Sequence, residues 1–430
     1  MLKETELFLK EKYNIGNNVF EIYEKALVDV EEAFKELDLI REFNQLKVLK
    51  AFQDERISDS HFTNSTGYGY DDIGRDSLDK VYARIFKTES ALVRPHFVNG
   101  THAIGTALFG NLRPNDTLLT VTGLPYDTLH GVIGINKSEK NMGSLIDFGV
   151  KYKQVDLIDN KFIDLEKVKE VLKEDPSIKV VHIQRSTGYS TRYSLMLPQI
   201  KEAIETIKSV RSDVIVFVDN CYGEFVGTME PTEFGADLMA GSLIKNIGGG
   251  ISPTGGYIVG KEELIQNASY RLTVPGIGGE CGSTFGVMRT LFQGLFLAPH
   301  TTMEAVKGSI FCARLMELAG YTAKPASTEK RTDIVQTIIF GAEEPLCQFI
   351  KGIQQGSPID SYVSCEKAPM PGYEDDVIMA AGSFIQGATM ELSADAPIRP
   401  PYIAYIQGGL TFDHAKIGTL IALNKVLNNR

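Results

Sequence analysis

The chain has 430 residues, enough for two or three domains and a large buried core. Its apolar content of 43% and charged content of 23% are ordinary for a globular protein, and a formal charge of −11 argues against nucleic acid or an anionic membrane as the main partner. Five scattered cysteines without a C-x-x-C pair, seven histidines without zinc-ligand spacing, no apolar run near the ~18 residues of a spanning helix and a start lacking signal-peptide order predict a reduced, metal-free, soluble cytoplasmic protein.

Residues 1–50 place apolar side chains at helical spacing, as at Leu27, Val30, Phe34 and Leu37, and predict amphipathic helices. Residues 54–77 are polar and glycine-bearing, with Gly67-Tyr-Gly-Tyr70 and Gly74-Arg75, and read as a long ordered loop. Together they form an N-terminal extension over 1–77. From residue 78, apolar runs at Thr117–Val121, Lys179–Ile183, Val214–Val218 and Gly256–Val259 alternate with helical stretches such as Leu165–Leu172 and Leu197–Ser209. This alternation predicts an α/β domain over 78–304, a mostly parallel sheet covered by helices. Its ligand belongs at the carboxyl ends of the strands. Beyond 305 the texture changes. A helix near Met303–Leu318, a strand over Asp333–Phe340, a Gly/Pro/Asp-rich section at 355–376, a strand near Ile378–Ala381 and a helix over Phe412–Leu427 predict a smaller C-terminal α+β domain.

The chemistry concentrates at two points. Val214-Ile-Val-Phe-Val-Asp219 ends a buried run on a carboxylate, so Asp219 emerges at the ligand-binding edge; a helix N-cap is the ordinary alternative. Lys245 stands three residues after Ser242 and ahead of Gly248-Gly-Gly250. A loop lysine is ordinarily just solvated, but these glycines allow close approach of a bulky ligand. Such a pair is what pyridoxal phosphate requires, with Asp219 keeping the pyridine nitrogen protonated and Lys245 holding the aldehyde as a Schiff base. A neutral lysine amine would need burial or a positive neighbour to depress its pKa. For the phosphate, Asn99-Gly100-Thr101-His102 offers a turn and a helix start, and Ser242 a hydroxyl from the other side. Tyr126, in Thr122-Gly-Leu-Pro-Tyr-Asp127, follows a strand at the same edge and suits an aromatic lid; a surface-turn tyrosine is the alternative. Gly255-Gly-Tyr-Ile-Val-Gly-Lys261 fits the start of a P-loop, but Tyr-Ile-Val reads as a strand.

Asp219, Lys245, Ser242, Gly100 and Tyr126 resemble the site of fold-type I pyridoxal-phosphate enzymes of the Cys/Met-metabolism group. Gln53-Asp-Glu-Arg-Ile-Ser-Asp-Ser-His-Phe, Gly67 through Arg75, and Ala396-Pro-Ile-Arg-Pro-Pro-Tyr402 resemble, more narrowly, the methionine γ-lyase-like proteins also called aluminium-resistance or cystathionine β-lyase family proteins. The resemblance covers nearly the whole chain. It implies a lyase acting on a sulfur-containing amino acid by β- or γ-elimination, with Tyr126 or Lys245 assisting proton movement. Transamination, aldol-type cleavage or a catalytically silent binding protein remain open. It also implies a homotetramer built from dimers, in which Tyr70 and Arg75 reach a neighbouring subunit's phosphate, unless that loop packs on its own chain. Arg399 would grip the substrate carboxylate, unless it forms a surface ion pair. Departures from the group are Asn99-Gly100-Thr101-His102 in place of Ser-Gly-Met, Ile244 before the lysine, the usual arginine's slot nearer Tyr405, and the Gln184–Tyr189 segment, which has no simple counterpart.

Overall fold

The computed structural model describes residues 2–135, 142–370, 375–387 and 390–428. Part of the Gly/Pro/Asp-rich section, 371–374, lies outside them. The chain divides into two units, one formed by residues 43–298 and the other by the N-terminal 42 residues with 299–430.

The first unit is built on a seven-stranded sheet: β1 (Ser90–Arg94), β2 (Thr117–Thr120), β3 (Lys151–Gln154), β4 (Ile178–Gln184), β5 (Ile215–Asp219), β6 (Leu238–Ser242) and β7 (Gly256–Gly260). The spatial order is β1-β7-β6-β5-β4-β2-β3, and β7 alone runs against the rest. The predicted mostly parallel α/β sheet is therefore present. Continuous apolar runs follow from burial on both faces. In β5, Val216 and Val218 enter one core while Ile215 and Phe217 enter the other. Each such side chain contributes roughly 1.5–3 kcal/mol when fully buried. Asp219 is the first polar residue of that strand. The P-loop-like segment forms β7 and its antiparallel pairing, as its Tyr-Ile-Val core suggested.

Helices cover the sheet where the 3.6-residue period is strongest. Leu165–Glu174 starts at Asp164, whose side chain caps the Lys167 N–H, and buries Val168 and Leu172. Leu197–Val210 buries Ile200, Ala203, Ile204 and Ile207, one stripe of a helix.

The second unit carries an antiparallel sheet of β8 (Thr322–Lys324), β9 (Gln336–Ile339), β10 (Val377–Ala380), β11 (Ser393–Pro397) and β12 (Ile403–Gln407), in the order β8-β9-β12-β11-β10. Helices Glu343–Gln355 and Phe412–Asn428 approach closely because Gly352 has no side chain; a Cβ there would lie 2.4 Å from the Ala422 Cα. Helix Lys3–Tyr13 and the first part of helix Asn17–Asp54 share this core through Leu9, Val19, Phe20 and Tyr23. Edge-on ring contacts, Tyr23 with Phe311 and Phe34 with Phe412, join the second of these helices to it. Among the described residues, no helix is long and apolar enough to cross a membrane.

Candidate active site

The site lies in the first unit, where three parallel strands end side by side. Gln184, Asp219 and Ala240 are in register across β4, β5 and β6. Asp219 is buried, and its Oδ1 accepts the Cys221 N–H at 3.1 Å. Its backbone carbonyl accepts the Arg185 N–H at 3.1 Å. The carboxylate is thus fixed by its own chain at the edge where a ligand binds.

Lys245 follows β6 in a turn that continues into the short helix Asn246–Gly248. Its Nζ lies 3.9 Å from the centre of the Tyr222 ring, a close cation–aromatic contact. Asn246 ties this turn to the loop after Asp219, donating to the carbonyls of Tyr222 at 2.8 Å and Glu224 at 3.1 Å. The glycines here close the turn on the protein itself. A Cβ at Gly248 would sit 1.6 Å from the Leu243 carbonyl oxygen, and one at Gly249 2.2 Å from that of Gly294. Close backbone approach, rather than room for a ligand, explains both glycines.

Electrostatics at Lys245 run opposite to the sequence expectation. Burial alone pushes the amine's pKa down, but Cys221, Tyr222, Asp219 and Glu224 together push it up by more, so the net direction is upward. The Cys221 thiol is itself pushed far up by burial and by Asp219. The acids gathered around the amine thus favour its protonated form against the effect of burial.

The helix Gly100–Asn111 starts beside this pair. Asn99 caps it, accepting the His102 N–H at 2.8 Å through its side chain and the Ala103 N–H at 3.2 Å through its carbonyl. The N–H groups of Gly100 and Thr101 have no acceptor within the helix. A Cβ at Gly100 would lie 3.2 Å from Ser242 Cβ and 3.4 Å from Cys221 Sγ, so the helix start packs directly on the ends of β5 and β6. An anion, a pyridinium partner and an amine can therefore be served at one strand edge. These residues fit pyridoxal phosphate: backbone N–H groups and the Ser242 hydroxyl for its phosphate, Asp219 for its ring nitrogen and Lys245 for its aldehyde.

Tyr126 is joined to the same region. The Thr101 and Thr128 hydroxyls are 2.6 Å apart, and the Tyr126 N–H donates to Gln184 Oε1 at 2.7 Å. Gly188, at φ +62°, leaves room for the Tyr126 ring; a Cβ there would come within 3.0 Å of it. Tyr189 meets that ring edge-on at 6.0 Å. The Gln184–Tyr189 segment, unmatched in the group's pattern, positions Tyr126.

Tyr70 and Arg75 part company. Tyr70 is 66% exposed and stacks on exposed Tyr68, ring centres 5.2 Å apart. Arg75 is 1% exposed and donates to the carbonyls of Gly69 at 2.6 Å, Gly282 at 3.3 Å and Glu280 at 3.2 Å, all in its own chain. It secures the loop from which Tyr70 projects. Arg399 belongs to the other unit and donates to Asp375 at 2.9 Å, the ion pair left open above. Among the described residues no cluster of side chains could hold a metal ion.

The sequence reading puts the Asn220–Glu224 stretch at the pocket edge without singling out Glu224. The structure buries it completely, with the Tyr257 hydroxyl donating to Oε1 at 2.7 Å. The one hint in the sequence is Gly241 within β6: a Cβ there would lie 2.6 Å from Glu224 Oε1.

A profile of the methionine gamma-lyase family matches residues 19–427. The chain belongs to that family. The uncharacterized protein YnbB of Bacillus subtilis is 50% identical over 414 residues, 95% of this chain and 98% of that protein. The solved structure of a carbon-sulfur lyase involved in aluminum resistance from Clostridium novyi NT is 65% identical, covers 99% of this chain and 100% of that one, and superposes with a TM-score of 0.96. The pyridoxal-5'-phosphate dependent protein YhfS of Escherichia coli, at 16% identity, shares the fold with a TM-score of 0.62 over 92% of this chain and 97% of that one. This methionine gamma-lyase family member thus has the fold-type I architecture that its sequence resembles, a mostly parallel sheet with a smaller antiparallel one.

Proposed function

We propose that this protein is a pyridoxal-phosphate-dependent carbon–sulfur lyase that acts on a sulfur-containing amino acid by β- or γ-elimination. The observation that carries the reading is the meeting of Lys245, Asp219 and the Gly100 helix start at one strand edge of a methionine gamma-lyase family chain. Pyridoxal phosphate, when bound, supplies an aldehyde for amines and a ring that accepts electrons from the substrate's α-carbon. The Gly100 and Thr101 N–H groups, with Asn99 shaping the turn and Ser242 adding its hydroxyl, hold the phosphate. Asp219 keeps a negative charge opposite the ring nitrogen. Tyr126 covers the ring and excludes water from one face. Lys245 takes the proton from the α-carbon, a general-base role. The carbon–sulfur bond then breaks with the electron pair leaving on sulfur, which takes up a proton to give a thiol; water hydrolyses the unsaturated amine left behind, supplying the keto oxygen, so the other products are an α-keto acid and ammonia. Arg399 exchanges Asp375 for the substrate carboxylate, which its planar guanidinium suits.

The protein acts as a homotetramer made of two dimers, with Tyr70 of one copy reaching the phosphate of another. The exposed, mutually stacked Tyr68 and Tyr70 support this, since large exposed apolar groups mark contact surfaces. Light scattering is expected to give a mass well above one 47.4 kDa chain, and a monomer at active concentrations contradicts it. Assays of keto-acid release from cystathionine, methionine and cysteine test the reaction. Release from at least one is expected. Cofactor retained without keto-acid release from any of the three overturns the lyase reading and favours a binding protein.

A further inference from the structure

The loop after Asp219 bends at two residues whose backbone is left-handed, Tyr222 at φ +74° and Phe225 at φ +62°. Bulky side chains avoid that region, and glycine ordinarily fills it. Here a glycine stands between the two without being the left-handed residue. A Cβ at Gly223 would lie 2.5 Å from the Arg185 guanidinium, so close packing sets its place instead. Two aromatic residues therefore carry a backbone cost that their contacts have to offset. For Phe225 those contacts are in the core, where it is fully buried and stacks on Phe86. Tyr222 is only half-buried, at the edge of the core. What its ring face meets is the Lys245 amine, 3.9 Å from the ring centre.

The lysine depends on this contact in turn. Among the described residues, no hydrogen bond or ion pair engages its amine. Ring and lysine are also tied through the backbone. Asn246, the residue after the lysine, donates to the Tyr222 carbonyl at 2.8 Å, and the Gly223 N–H donates to the Asn220 carbonyl at 2.9 Å, closing the turn that aims the ring.

A ring face carries the negative part of the aromatic quadrupole, which attracts an ammonium and not a neutral amine. The proposed reaction moves Lys245 between these two forms. The C–H bond at the α-carbon breaks with its electron pair left on the substrate side, and the proton joins the lone pair of the amine. We propose that Tyr222 is a positioning residue for Lys245: its ring face is the seat of the amine in its ammonium form, and the left-handed backbone turns that face to the lysine. This rests on Lys245 being the base of the proposed reaction.

The test reads the lysine first in protein freed of cofactor with hydroxylamine, its lysines carrying ¹³C at the ε-carbon. The signal that vanishes in Lys245→Arg belongs to Lys245. Ring current moves protons above a ring face upfield, so this signal is expected upfield in wild type and in Tyr222→Phe, and at the ordinary lysine position in Tyr222→Leu. In loaded protein, Tyr222→Leu is expected to lower kcat about tenfold with KM little changed, and to enlarge the isotope effect of an α-deuterated substrate. Tyr222→Phe is expected to recover most of that loss. Leucine and phenylalanine bear a similar left-handed cost, so the comparison isolates the ring. Should Tyr222→Leu not fold, Tyr222→Met also removes the ring. A wild-type Lys245 signal at the ordinary position overturns the inference. So does Tyr222→Phe losing as much turnover as Tyr222→Leu, which gives the role to the hydroxyl. A wild type that shows the upfield signal yet releases no keto acid overturns the lyase reading, while supporting the ring as the seat of the amine.

Discussion

Lys245→Ala is expected to abolish the visible absorbance of protein loaded with pyridoxal phosphate and to lower turnover by at least roughly 10⁴-fold, because one side chain both anchors the cofactor and moves the proton. Cys221, Tyr222, Asp219 and Glu224 all act on the Lys245 amine at this strand edge. Lys47 also lies in the first unit, but it packs over the Phe225 ring, and its charged neighbours are Glu230, Glu233 and Lys87 rather than Asp219. Spectra and keto-acid assays on the variant, with circular dichroism to confirm folding, check this. A variant that keeps the wild-type band and rate removes Lys245 from the chemistry.

Asp219→Asn is expected to leave the protein folded and able to bind the cofactor, while kcat falls roughly 10²–10³-fold, the usual effect of deleting a preorganised charge. The amide keeps the shape of the side chain, and its oxygen can still accept the Cys221 N–H. What is lost is the negative charge opposite the ring nitrogen. The loss should therefore appear in kcat, with KM little changed, as for an interaction that matters most in the transition state. A rise in KM with kcat intact would place Asp219 in substrate binding.

How much of this was legible follows from what each residue reports. β5 could be read because burial on both faces demands an unbroken apolar run, and Asp219 stands out at its end. β6 is harder to see. Its Leu-Met-Ala-Gly-Ser sequence is shaped by close packing, with Gly241 making room for Glu224 and Tyr257, so it lacks the β-branched residues of an ordinary strand. β1 ends on Arg94, a charge buried only because Asp79 pairs with it at 2.8 Å. The helix Glu343–Gln355 and strand β11 were passed over for similar reasons, since Ser393-Ala-Asp-Ala-Pro397 carries little β signal.

The site divides the same way. Residues tied to local sequence rules were visible: Asn99 as a helix cap and Lys245 in a glycine-rich turn. Residues whose role depends on long-range packing were not. Glu224 follows Asp219 by five positions and reads as pocket edge, yet the approach of β7 seals it under the Tyr257 hydroxyl. Arg75 has the composition of a phosphate ligand, but its guanidinium is taken up by three carbonyls of its own chain. The direction of the Lys245 shift also depends on which acids the fold gathers, which spacing along the chain does not fix.

The central claim is that Lys245 carries the cofactor, and borohydride reduction of the loaded protein followed by peptide mass spectrometry tests it most directly. The account predicts a pyridoxyl group on the peptide containing Lys245 and on no other. A label on a different lysine, or a loaded protein that reduction leaves unlabelled, contradicts it.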